Sequence, residues 1–201
     1  MAESLHTLTE LVGSAQWRDK AQFALSWLRE KHKLLQGIST PTPKQVIAEG
    51  MKVPHIRHGN MYFYYYNPLT KLKLPYYDTF PLVIPIESYS QSQFLGINFH
   101  YLPYNLRSKL LSTLMKEVEV GEEAKNIERF RVGYDSIKNI VRLKEAIPCI
   151  HRYNVGQIRS RIIRVLPDEW TTAIYLPVER FKKRNKAEVW SQSRAIINRN
   201  K

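Results

Sequence analysis

The stretch that most limits the fold is MYFYYYNP at residues 61–68, where five aromatic residues fall in a run of six before Asn-Pro. Consecutive bulky planar side chains favour extended backbone, in which successive residues point to opposite faces. Met61, Phe63 and Tyr65 then share one face, and Tyr62, Tyr64 and Tyr66 the other. A sheet covered on one side buries the first set and leaves a face of three tyrosines. Such a face can stack on bases or be covered by protein. Cover by a protein neighbour is the expectation, which makes Tyr62, Tyr64 and Tyr66 interface candidates.

Two further strands follow, FPLVIPIE at 80–87 and FLGINFHY at 94–101. Pro81 and Pro85 each lack a backbone donor, so strand starts, edges or bulges suit them. Gly96 marks a bulge or close packing. IRSRIIRV at 158–165 reads as another strand, a buried edge with a basic outer face. Short strands, interrupted by proline and joined by unequal loops, predict an α+β fold. The expected form is a small, strongly bent antiparallel sheet or SH3-like barrel with flanking helices.

Helical periodicity appears in four places. Over 14–36, Ser14 is a candidate N-cap, Trp17, Ala21, Ala24, Leu25 and Leu28 form one stripe, and Gly37 is a stop. Trp17, Leu25 and Leu28 are candidate protein contacts. Pro103 opens a helix over about 103–117 with Leu106, Leu110, Leu111 and Leu114 on one face. A third helix is expected at 132–145, after an acidic connection at 117–128, and a last one around 186–197. Pro167 to Trp170 starts a short helix or turn. Residues 37–60 are rich in Pro, Gly, Ser and Thr and read as an extended arm. The expected organisation is a helix plus arm over 1–58 and one α+β domain over 59–201.

The net charge is +13 over 201 residues, with a pI of about 9.8. It is uneven: residues 131–201 carry 16 Lys/Arg against 6 Asp/Glu, whereas 61–130 carry 7 against 7. Such a surplus speaks of anionic partners rather than of fold. Candidate phosphate contacts are Arg159, Arg161, Arg164, Lys182, Lys183, Arg184 and Lys186, with Lys71 and Lys73 on the 69–79 loop.

Catalytic signatures are weak. No Gly-x-x-x-x-Gly-Lys-Ser/Thr loop exists. Cys149 is the sole cysteine, which excludes an internal disulfide, and it reads as a buried structural residue rather than a nucleophile paired with His151. His55 and His58 lack an evident third ligand, so no metal and no cofactor is expected. Pro167-Asp168 with Glu179 and Lys182 loosely resembles a PD…ExK nuclease, but a strand would set Glu179 and Lys182 on opposite faces. No signal peptide and no membrane-spanning run is expected.

GNMYFYYYNPLTKLKLPYYDTFPLVIPIE, followed by FLGINFHYLPYNLR, resembles the DNA end protector proteins of T-even-like tailed phages. Pro148-Cys149-Ile150, Asp168-Glu169-Trp170 and Leu176 to Phe181 are similar to the same family, so the resemblance spans roughly 59–190. It implies a non-enzymatic virion protein, assembled in the host cytoplasm, that shields the ends of packaged double-stranded DNA from host exonuclease. It also implies a part in completing the head, with portal, neck or tail proteins as partners and a possible homo-oligomer. A purely structural subunit of the neck, tail or baseplate is the alternative, and a metal nuclease the last.

Overall fold

A computed structural model describes residues 41–118 and 143–200. The predicted 14–36 helix with Trp17, Leu25 and Leu28, the acidic connection beyond Val118 and the 132–145 helix up to residue 142 lie outside the described residues.

The strands in chain order are β1 (Met51–Val53), β2 (Met61–Phe63), β3 (Tyr77–Asp78), β4 (Leu82–Ser90), β5 (Gln93–Asn98), β6 (Ile150–Asn154), β7 (Ile162–Val165) and β8 (Phe181–Lys182). Six of them form one sheet in the order β1-β7-β2-β4-β5-β6, with every neighbouring pair antiparallel. β3 and β8 make a separate antiparallel ribbon. β1 and β6 stand at opposite edges without pairing, so the sheet is open and the SH3-like barrel is not formed. β7 is not the edge expected of it, because β1 pairs along its outer side.

β1 also corrects the reading of 37–60 as an extended arm. Thr42 caps a helix, α1 (Pro43–Glu49), in a capping box with Gln45, and Pro43 takes the first turn, where its missing N–H costs nothing. Composition suggested a linker, but a good cap and a strand partner decide otherwise.

The alternation read from MYFYYY holds, and both faces are covered. Met61 and Phe63 join the main core with Phe80, Leu82, Ile84, Ile97 and Phe99, and Tyr65 packs against it. Tyr62, Tyr64 and Tyr66 form a second cluster with Val83, Phe94, Tyr153 and Ile162. Tyr62 and Tyr64 are at most 1% exposed. The tyrosine face is therefore filled by this chain's own β4, β5, β6 and β7 residues and is no surface for a neighbour. Tyr64, Tyr66 and Tyr153 meet edge to face at 5.0–6.2 Å, the arrangement ring quadrupoles favour. Beyond Phe63 the ladder turns irregular, since Ser160 Oγ takes the Tyr65 N–H (2.8 Å), and it resumes as a bridge between Tyr66 and Ile158.

Pro81 precedes β4, and Pro85 borders a register shift in the β4–β5 pairing. Gly96 stands opposite Pro85, where a Cβ would meet Val83 Cγ1 at 2.4 Å, so close packing explains it.

The helices cover the main core. α2 (Tyr104–Val118) buries Leu110, Leu111 and Leu114. α3 (Trp170–Ala173) is a short turn entered through Pro167, with Trp170 buried. α4 (Lys186–Arg199) starts at Asn185, whose side chain and Glu188 form a capping box, and buries Val189 and Ile197. Among the described residues no helix is long and apolar enough to cross a membrane.

Gly96→Ala is expected to lower the unfolding free energy by about 1–3 kcal/mol through overpacking against Val83. Urea titration followed by tryptophan fluorescence reads the change.

Candidate nucleic-acid interface

Two long stretches of the sequence, Gly50–Tyr77 and Ala146–Pro167, contain no Asp or Glu. The antiparallel register lays them side by side, with Met51 opposite Arg164, Lys52 opposite Ile163 and Val53 opposite Ile162. Five of their basic side chains lie along the β1–β7 edge, while Arg152 sits on β6 at the other edge. Lys52, Arg57, Arg159 and Arg161 are exposed, and Arg164 is half-buried. A cleft lined by Arg57 and Arg164 and another lined by Lys52 and Arg161 share Val53 and Pro54. The basic path continues toward the 69–79 loop. Asn67 N–H donates to Gln157 C=O (3.1 Å), and the side-chain oxygens of the same two residues accept from Lys71 and Arg159. Lys71 and Lys73 are exposed on that loop.

The 182–186 cluster divides differently. Lys183 has left-handed backbone (φ 69°), unusual for a side chain of its size, and its Nζ donates to the carbonyls of Leu72 (3.0 Å) and Leu74 (2.6 Å). Arg184 lies over the Tyr76 ring, and Lys186 donates to Glu179 Oε1 at 2.9 Å. These three are tied into the fold, so reversing the whole cluster would disturb structure as well as charge. Lys182, on β8, is exposed and its side chain bonds to no described residue.

Charges inside the protein serve cohesion. Arg107 is fully buried; its Nε donates to Leu102 C=O (2.7 Å), its Nη1 to Ile174 C=O (2.9 Å) and its Nη2 to His100 C=O (3.4 Å). Glu179 Oε2 lies 3.7 Å from Nη2, and Tyr104 and Trp190 flank the guanidinium. Asp78 accepts from the N–H groups of Phe80 (2.9 Å) and Arg180 (3.1 Å) and from Asn98 Nδ2 (3.2 Å), and pairs with His100 Nδ1 at 2.7 Å. Burial alone would raise both carboxyls. For Asp78 the His100 charge and its hydrogen bonds outweigh burial, and for Glu179 the charges of Arg107, His100 and Lys186 do, so both are held below their ordinary range.

These groups do not assemble a reactive centre. Burial pushes the Cys149 thiol well up, away from the thiolate a nucleophile needs, and pushes His151 down to about 4. Glu179 is committed to Arg107 and Lys186, while Asp168 is exposed. Among the described residues no three His, Cys, Asp or Glu side chains gather as metal ligands would.

Of the sequence-predicted contacts, Arg159, Arg161 and Arg164 share one edge, Lys71 and Lys73 extend from it, and the 182–186 group is split. Lys52 and Arg57 were missed because their segment was read as an arm. The readable signal was the absence of carboxylates around them.

An open antiparallel sheet whose basic edge is built from two stretches without Asp or Glu has the chemistry to hold a polyanion. The chain belongs to the family described as Phage T4 terminal DNA protecting protein, whose model matches residues 38–198. No curated protein and no solved structure matches it.

Both low carboxyls contribute stability that is complete above the ordinary values of 3.8 (Asp78) and 4.5 (Glu179) and is lost as pH falls through their folded-state values. Unfolding free energy should therefore decline on acidification below about pH 5, and Glu179→Gln should flatten that decline. Arg107→Met, which leaves buried Glu179 with Lys186 alone and frees three buried carbonyls, is expected to cost about 3–5 kcal/mol by chemical denaturation.

Proposed function

We propose that this protein binds the ends of linear double-stranded DNA along the β1–β7 edge and shields them from exonuclease, without itself acting on the DNA chemically. Membership of a family named for protecting terminal DNA supports the reading. The observation that carries it is the pairing of two acid-free segments, which sets Lys52, Arg57, Arg159, Arg161 and Arg164 along one edge. Contacts of this kind bind phosphate irrespective of sequence, as protection of any end requires. Lys71, Lys73 and Lys182 are further candidates for the same backbone.

The protein would act in the virion, at packaged DNA, and help complete the head beside portal, neck or tail proteins. The 69–79 loop favours a protein contact there, because Leu69 and Leu72 are 70% and 87% exposed.

With five phosphate contacts, the logarithm of the binding constant should fall against the logarithm of salt concentration with a slope of about −4 to −5. Arg159→Glu with Arg161→Glu should reduce that slope by about 2 and weaken binding at least about tenfold. Fluorescence anisotropy reads both, and circular dichroism checks the fold. Equal affinity for covalently closed and open-ended duplex would exclude end recognition. Magnesium-dependent cleavage by the pure protein would exclude a purely protective role.

A further inference from the structure

The loop from Pro54 to Asn60 joins β1 to β2, and a cleft of about 220 Å³ opens between it and the strand residues Tyr62 and Arg164. His55, Arg57, Asn60, Tyr62 and Arg164 form its polar lining, and among the described residues no carboxylate lines it. Three ties hold the loop. Gly59, at φ 73°, makes the left-handed turn, and its N–H donates to Pro85 C=O (2.9 Å). The Tyr62 hydroxyl accepts from Arg57 N–H (2.9 Å) and donates to Arg57 C=O (3.3 Å). His58 Nε2 lies 3.2 Å from Ser88 Oγ. The buried tyrosine thus fixes the backbone from which Arg57 projects, and little ordering remains to be done on binding.

Arg164 is the unusual member. It forms no ion pair with a described residue, and its Nε is enclosed without a hydrogen-bond partner. Enclosing a guanidinium donor unpaired is costly, and native structures rarely do so without a use for the group. Its planar fork matches the oxygens of a phosphate. The elevated charge of a phosphate monoester, about −1.5 to −2 at neutral pH with three terminal oxygens, suits two arginines better than a diester does. A monoester occurs on DNA only where a strand ends.

We propose that this cleft receives the terminal phosphate monoester of a DNA strand, with Arg57 and Arg164 donating to its oxygens. The inference rests on the end-binding reading above and names the group by which an end would be told from the interior of a duplex.

The test uses the full chain and a labelled DNA hairpin with one blunt end, made with a 5′-phosphate, with a 3′-phosphate, or with hydroxyls at both termini. A dumbbell closed at both ends is the control, and anisotropy at one fixed salt concentration is the readout. One phosphorylated hairpin should bind about fivefold or more tighter than the hydroxyl-ended one, and which one identifies the strand end. That preference should fall below about twofold in Arg164→Gln and in Arg57→Ala, each arginine supplying charge-assisted bonds to the same group. Arg57 is exposed, so its variant reports even if Arg164→Gln does not fold. Equal binding of all three hairpins, with the dumbbell bound more weakly, overturns the cleft assignment and leaves end binding standing. Equal binding of hairpins and dumbbell, or none of either, overturns both. A preference that persists in Arg57→Ala overturns the assignment to this cleft.

Discussion

A permanently charged guanidinium without access to water holds the two halves of this fold together. Arg107 lies near the start of α2, yet its donors end on carbonyls from the 100–102 turn and from Ile174, 67 residues further along. Burying such a group is unfavourable unless nearly every donor is met and the charge is balanced. Glu179 balances it, Lys186 steadies Glu179, and Trp190 closes over the guanidinium while its Nε1–H donates to His100 C=O (2.9 Å). Helix α4, the β3–β8 ribbon and the central sheet thus meet around one satisfied ion. Remove it, and the chain beyond residue 170 loses the contact that specifies where it sits.

Asp78 plays a parallel part at lower charge. Its two oxygens take two backbone N–H groups, an amide and an imidazole, so a single side chain fastens the segment before β4 to Arg180 and to the end of β5. Both centres join sequence-distant pieces through polar bonds in an apolar setting, where a missing partner is most costly. Such networks add uniqueness to a core whose aromatic packing alone would tolerate several arrangements.

Most local structure was legible in the sequence. Alternation in MYFYYY assigned the correct residues to each face, leucine spacing found α2, and the tolerance of Pro85 and Gly96 for special sites held. What local pattern could not tell was that the second face is buried too. A strand with tyrosines on its second face looks amphipathic, and only the chain's return through Phe94, Tyr153 and Ile162 reveals a second core. The arm over 43–53 failed for a related reason. Its composition resembles a linker, while the strand that captures it lies more than a hundred residues away. For the basic residues, counting charge by thirds pointed to the C-terminal region, but counts are blind to partners. Lys183 and Lys186 are tied into the fold, whereas Arg57, outside the basic C-terminal region, is exposed.

Aromatic side chains occupy both faces of the sheet at β2, so among the described residues that strand offers no open face for recognition. Among the described residues, contact with anything outside falls to the rim, to loops and to the two edge strands β1 and β6. Residues there support little of the core, so their replacement changes stability slightly. The interior and the rim can therefore vary on separate schedules. A lineage could retune charge along the rim to suit a different genome end or a different capsid neighbour while the aromatic pattern of 61–66 stays still. The same separation would let a change in partner leave little mark on the part of the sequence by which such proteins are recognised.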